Sequence, residues 1–403
     1  MKDAEHTTKQ LLWIVYGIYF FNGMAMCLEG TFNPEIKELF ELDYMRLMYL
    51  VFAKGIPFLL LSFIVGIMAQ KTGLKNTLSL SMIVSAVGTA GITAGIQTMS
   101  YPLILTACFV NGSAFTMQLV AGNPLLSVLG SPAKSSVRLN FANALGAIAQ
   151  MIGMFLVYLI LPVTIIKAVD KIPYIIAILY PMAFLLLALG IISRWMQWEG
   201  DPASVKQSDT QEKLNLPSVW NEPKIITGLV VLFFVLGVEA GIFGLFRNYA
   251  EEPRIGRLNT SSSILYYTFY FILFAAGRFI GAVLQRRIQP AKYLLVSAVT
   301  ALCFIILALF TKGLTAVLCL IAVGFFASVF FPTIYSIAIE GMGRRVAKAS
   351  GILMMGMIGG AILPVIQGKI ADLIGLQYSF VLTALAYLGV LFFALRYYKN
   401  QKQ

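Results

Sequence analysis

Three ionisable residues interrupt long apolar runs in this 403-residue chain: Glu29, Lys54 and Glu239. A charged side chain in a lipid-spanning segment is costly, so such groups face a cavity or a partner of opposite charge. A carboxyl group held away from water can also exchange a proton near neutral pH, as coupling solute movement to a proton gradient requires. Other chemistries are excluded. The single histidine is His6, near the amino terminus, so no Ser-His or Cys-His pair and no membrane-embedded imidazole can be assembled. An enzyme is not expected, and no P-loop is present through which ATP could drive the protein. Met24, Met26 and Cys27 offer sulfur ligands for Cu(I). With no second sulfur cluster at helical spacing they read as flexible core filler, and neither a metal nor another cofactor is expected.

The elements that must carry these residues follow from composition. Apolar residues make up 59% and charged residues 12% of the chain, with a mean hydropathy of +0.83. Soluble domains have roughly 45–50% and about 25%. Too little polar surface remains for a water-soluble globule or a disordered chain. A helix needs about 20 mostly apolar residues to cross a bilayer. Twelve such stretches occur, near 11–32, 47–69, 76–97, 101–129, 139–161, 172–193, 224–249, 261–285, 291–311, 313–340, 346–368 and 376–396. Lipid offers the backbone no partners, so the spans are helices. Uninterrupted apolar runs such as Leu229–Leu236 exclude the alternation of a β-barrel. The first stretch is too long for a cleaved signal and reads as a permanent span. One long polar segment, 194–223, divides the chain into bundles at 1–193 and 224–403. The expected fold is all-α integral membrane, with twelve transmembrane helices in two six-helix pseudo-repeats.

Orientation follows from Lys and Arg. With the amino terminus inside, 19 of the 30 lie in inner segments and 9 in outer ones, while Lys54 and Arg278 lie within spans. Both termini are therefore expected in the cytoplasm. The formal charge of +12 is a topology signal, and nucleic-acid binding is not expected.

The halves repeat. Gly66-Ile-Met-Ala-Gln-Lys71-Thr-Gly73-Leu-Lys75 follows span two, and Gly281-Ala-Val-Leu-Gln-Arg286-Arg287 follows span eight, 215 positions later. Asn123-Pro124 in span four is matched by Phe331-Pro332 in span ten, 208 positions later. Gly-rich spans five (Gly146, Gly153) and eleven (Gly351, Gly356, Gly359, Gly360) follow. Parallel repeats of this kind predict two similar bundles with a site near the midplane, an alternating-access carrier.

The Gly66–Lys75 loop resembles the signature between spans two and three of the major facilitator superfamily, with Gln70 where that family usually has Asp. Further motifs are similar to its fucose permease and glucose/galactose transporter branch: Met26-Cys-Leu-Glu-Gly30, Asn33-Pro34-Glu-Ile, Arg138-Leu-Asn140, Gly237-Val-Glu239, Gly277-Arg278-Phe and Phe331-Pro332-Thr-Ile-Tyr-Ser336. The resemblance implies the major facilitator fold and movement of a small polar solute. A monosaccharide by proton symport is the leading expectation, and export or facilitated passage of a non-sugar metabolite is the alternative. A non-transporting receptor is a minor one, disfavoured by the short inner segments.

The departures bear on substrate. Sugar-transporting relatives carry an Asn-Asp pair where Glu29 and Gly30 stand, a Gln or Glu where Leu119 stands beside Gln118, and Gln and Asn where Asn143 and Gly146 stand. An unpaired buried hydroxyl costs roughly 1–3 kcal/mol, so these losses weaken the case for a hexose.

Candidate proton-coupling or substrate-binding residues are therefore Glu29, Glu239, Lys54, Gln118 and Asn143. Glu29 lies 18 residues into its span, about 27 Å along the helix, and Lys54 enters span two from the outside to about 11 Å. Those depths are compatible with an ion pair, so Glu29 reads as proton carrier, structural partner of Lys54 or solute contact. Arg138, Arg278 and Glu340, with Arg344 and Arg345, are expected at a cytoplasmic gate. Tyr266, Tyr267, Phe269, Tyr270 and Phe271 of span eight form either a sugar-stacking wall or a lipid-facing surface. The partners expected are a small solute, protons and the bilayer of a bacterial inner membrane, with the protein acting as a monomer.

Overall fold

The computed structural model describes residues 2–129, 135–161, 167–195, 219–285, 287–340, 342, 349 and 352–400. Among them there is no strand, and twelve helices are long and apolar enough to cross a membrane. Most span boundaries fall within a few residues of the sequence reading. The eleventh span runs over Ile352–Ile374 rather than 346–368. The expected linker at 194–223 lies largely outside the described residues.

The chain forms two compact units, Met1–Phe40 with Ala53–Leu214, and Glu41–Phe52 with Asn215–Gln403. The first unit contains α1 (Lys2–Thr31), α2 (Asn33–Leu39), most of α3 (Tyr44–Thr72), α4 (Leu74–Gln97), α5 (Tyr101–Val128), α6 (Ser135–Ile160) and α7 (Ala168–Trp195). Helix α4 packs between α5 and α7, and α1 packs on α6. The turn from α3 to α4 is made at Gly73, whose φ of 90° lies where a side chain would be strained. The short helix α2 is held to α7 by charge. Glu35 and Lys171 form a buried ion pair at 3.2 Å, and Glu38 accepts the Ala168 N–H at 3.0 Å.

The second unit contains α8 (Pro223–Glu251), α9 (Thr260–Leu284), α10 (Pro290–Phe310), α11 (Leu314–Ala327), α12 (Phe330–Ile339), α13 (Gly359–Ile374), α14 (Leu376–Ser379) and α15 (Val381–Asn400). Helices α8 and α10 each begin with proline near the first turn, where its missing N–H leaves nothing unsatisfied. Helix α8 packs against α9, α12, α13 and α15. The carboxyl end of α10 is closed from outside: Ala308 O accepts the Tyr249 hydroxyl at 2.7 Å and the Gln377 amide at 2.8 Å.

One expectation is corrected. Segment 41–52 was assigned to the first bundle but belongs to the second unit. Asp372 accepts the backbone N–H groups of Tyr44 and Met45 at 2.7 and 2.9 Å, and the Tyr44 hydroxyl donates to Glu252 at 3.1 Å. The carboxylate thus sits at the positive end of α3. Span ten, expected over 313–340, is one span over Leu314–Ile339, with a turn at Ser328 and Val329 where α11 meets α12. Pro332 has no N–H to give the carbonyl four residues back, that of Ser328.

Candidate functional site

Glu29 on α1 is 4% exposed and is the hub of a polar network inside the first unit. Its Oε2 accepts from Lys54 Nζ at 2.7 Å, and its Oε1 accepts from Thr89 Oγ1 at 2.8 Å and from Asn111 Nδ2. Ser85 Oγ lies 2.9 Å from Asn22 Oδ1 and 3.0 Å from Asn111 Oδ1, its single proton serving one at a time. Asn22 Nδ2 in turn donates to Gln118 Oε1. Tyr19 donates to Asn123 Oδ1 at 2.6 Å. Four helices therefore converge on one carboxylate: α1, α3, α4 and α5.

The approach of α3 depends on Gly112 of α5. A Cβ there would stand 2.1 Å from the Lys54 carbonyl oxygen, so any larger residue would push the two backbones apart. The close crossing delivers the Lys54 ammonium to Glu29. A small cavity of about 30 Å³ remains, lined by Asn22, Met26, Glu29, Lys54, Asn111 and Phe115. Such a space admits a water or one hydroxyl of a larger solute.

The pair foreseen between Glu29 and Lys54 is present, and Gln118 joins the same network. Asn143 does not line this cavity and stands exposed on α6. Thr89 and Ser85 were missed. Their signal is a line at four-residue spacing, Ser81, Ser85, Thr89 and Thr93, all buried on one face of a helix that is otherwise apolar over 80–96.

In the second unit Glu239 lies at the middle of α8, half-buried. Its carboxylate accepts no hydrogen bond among the described residues, and its charge partner is Arg278 of α9, 3.9 Å away. The Arg278 guanidinium also lies over the Phe274 ring at 4.6 Å and donates from Nε to Ser328 O at 3.1 Å. That carbonyl is the one Pro332 leaves without a donor. Arg138 donates from Nε to Leu126 O at 2.7 Å, a carbonyl in the last turn of α5. Both arginines thus satisfy main-chain carbonyls in the spans that the repeat makes equivalent. Glu340 is exposed at the end of α12, and Arg344 and Arg345 lie outside the described residues.

Nor do the aromatics of span eight form an open wall. Tyr267 and Tyr270 are buried against Phe243 and Phe246, and the Tyr267 hydroxyl donates to Phe243 O at 2.6 Å; Phe269 is the exposed member. Gln367 on α13 is fully buried against Gly241 of α8, and neither end of its amide has a hydrogen-bond partner.

Residues 15–357 match the family profile described as Major Facilitator Superfamily. This chain belongs to that superfamily. It is a multi-pass membrane protein of a transporter family, built on the major facilitator fold. Among curated relatives of this transporter, a "Glucose/galactose transporter" of Brucella abortus biovar 1 (strain 9-941) is 29% identical over 387 residues, covering 94% of this chain and 92% of its own. An "L-fucose-proton symporter" of Escherichia coli (strain K12) is 23% identical over 400 residues, covering 93% and 90%. Among solved structures, the Major Facilitator Superfamily transporter FucP in the outward conformation aligns at a TM-score of 0.66 with 19% identity, covering 96% of this chain and 98% of that one. A bacterial homolog of the human lysosomal transporter Spinster aligns at 0.77 with 15% identity, covering 96% of each. At such identities the structural likeness establishes the fold. The matched superfamily region contains Glu29, Lys54, Glu239 and Arg278 and ends before Gln367.

Proposed function

We propose that this transporter carries a monosaccharide together with a proton across the bacterial cytoplasmic membrane. It works as a monomer, with both termini cytoplasmic and the proton gradient as its only driving force. The observation that carries this reading is the network around Glu29, where a buried carboxylate, an ammonium, two Asn, one Gln, one Ser and one Thr meet inside an apolar helix bundle. A polyhydroxylated solute needs donors and acceptors held in fixed directions, because each unpaired hydroxyl weakens binding. Asn22, Asn111 and Lys54 present such groups to the cavity. The relatives named for glucose, galactose and fucose transport support a monosaccharide, and the one named as a proton symporter supports the coupling ion.

The two carboxylates divide the work. Glu29 accepts three hydrogen bonds, one of them from the Lys54 ammonium, and so holds the donors of the network in place. Glu239 has an arginine nearby and no hydrogen bond, which leaves its oxygens open to a proton. Glu239 is therefore the proton-exchanging group, with Arg278 as its charge partner, and Glu29 orients the solute contacts.

The test is uptake into liposomes holding the purified protein, over a panel of radiolabelled sugars, with and without an inward proton gradient. Gradient-driven accumulation of one sugar is expected. A folded protein that moves no sugar would overturn the substrate class, and accumulation indifferent to the gradient would overturn symport.

A further inference from the structure

Helices α8 and α15 of the second unit leave a groove between them that the transport site does not use. It has a volume of about 540 Å³. Ile226, Val230 and Phe234 of α8 form one wall, and Leu385, Gly389 and Phe392 of α15 the other. The groove opens on the outer surface of the unit, where Val230, Phe234, Leu385 and Phe392 are 38–63% exposed. Its depth comes from Gly389: a Cβ built there meets nothing within 4 Å. From Ile226 to Phe234 the groove follows α8 for about 12 Å, close to the ~15 Å of hydrocarbon in one bilayer leaflet.

One end of the groove is cationic and the rest is apolar. Arg396 and Thr227 line that end, and Lys224 lies one turn before Thr227. Both cations stand over the same ring, Lys224 Nζ at 6.0 Å and Arg396 Cζ at 5.9 Å from the centre of Tyr397. The Tyr397 hydroxyl is fixed by Thr227 at 3.1 Å. Among the described residues neither cation has a carboxylate within ion-pair distance. Trp220, half exposed just before α8, belongs to the residue type that settles at headgroup level.

We infer that this groove is a binding site for one anionic phospholipid. An acyl chain lies between α8 and α15 over Gly389, and the phosphate lies between Lys224 and Arg396. The charge asymmetry carries the choice of occupant, because an uncharged hydrocarbon would have no use for two unpaired cations at one end. A zwitterionic lipid would bring its own ammonium to them. Cationic pockets between spanning helices recognise anionic headgroups through this combination, each Lys or Arg near the surface adding about fivefold to affinity.

The experiment is native mass spectrometry of the delipidated full-length protein titrated with phosphatidylglycerol and, separately, with phosphatidylcholine of the same chains. One phosphatidylglycerol is expected to be retained about thirtyfold more tightly than phosphatidylcholine, two cations acting together. The double variant Lys224→Gln/Arg396→Gln is expected to lose that preference while keeping the melting temperature and monodispersity of the parent. Gly389→Leu, which fills the groove into open space, is expected to lose the bound lipid with both cations intact. Glycerol phosphate, which has the headgroup without the chain, is expected not to compete. Equal retention of the two lipids, a preference unchanged in the charge variant, retention unchanged in Gly389→Leu, or competition by glycerol phosphate would each overturn the assignment. None of these readouts depends on transport, so the site stands or falls separately from the sugar-symport reading.

Discussion

The Lys54 ammonium lies 2.7 Å from the Glu29 carboxylate inside the first unit, with side-chain exposures of 20% and 2%. Removing one member of a buried pair leaves the other charge unmatched, at about 3–5 kcal/mol. Glu29→Gln and Lys54→Met are each expected to lower thermal stability in detergent by that order. The double variant Glu29→Gln/Lys54→Met is expected to be more stable than the sum of the two losses predicts, since no lone charge remains. A double-mutant cycle on melting transitions measures this, and strict additivity would show that the pair contributes nothing.

Glu239 is expected to control coupling rather than binding. Glu239→Gln keeps the shape of the residue and removes its exchangeable proton. Sugar exchange between the two sides of a liposome membrane at equal concentrations should persist, while accumulation against a gradient should vanish. Exchange in the variant should also lose the pH dependence expected of the parent. A variant that still accumulates sugar would move the proton to another group.

Arg278 serves two partners, and they can be separated. Losing the charged hydrogen bond to Ser328 O is expected to cost about 1.5–3 kcal/mol in Arg278→Met. Pro332→Ala restores a backbone N–H at the position that should serve the same carbonyl. In that background the loss of Arg278 should cost distinctly less stability, yet coupling should still suffer because Glu239 has lost its charge partner. Melting temperature and gradient-driven uptake, measured on the same four proteins, distinguish the two roles.

Gln367 is expected to be retained for function at the expense of stability. Its amide is fully buried without a partner, an arrangement costing about 1–3 kcal/mol. Gln367→Leu should therefore leave the melting temperature unchanged or raise it. If the amide serves the solute during the cycle, uptake should fall in the same variant. A large loss of stability would instead reveal a hydrogen bond essential to the fold.

Gly112→Val tests how the first site is assembled. A side chain at 112 collides with the Lys54 main chain, so the variant should lose the Glu29–Lys54 pair through displacement of α3. A melting temperature no lower than that of Lys54→Met, with uptake intact, would contradict that account.

Hydropathy determined the twelve spans and, with the polar segment 194–223, their division into two sets of six, while matched glycine, proline and basic motifs marked the parallel repeat. Lipid leaves a long apolar segment no alternative to a helix, and that constraint is local. The Glu29–Lys54 pairing was also legible, because two ionisable groups at compatible depths in adjacent spans have few other partners. Helix rotation and approach were not legible. Whether Asn143 faces the cavity, whether Arg278 turns to Glu239 or to the membrane surface, and whether Tyr267 and Tyr270 form a wall or a core depend on contacts between helices far apart in sequence. Arg278 illustrates the reason: its place is set by a carbonyl that Pro332, 54 residues later, leaves without a donor. The assignment of residues 41–52 to the second unit likewise rests on Asp372, more than 300 positions away. Composition dictates which segments become helices, and only their packing decides which polar groups meet.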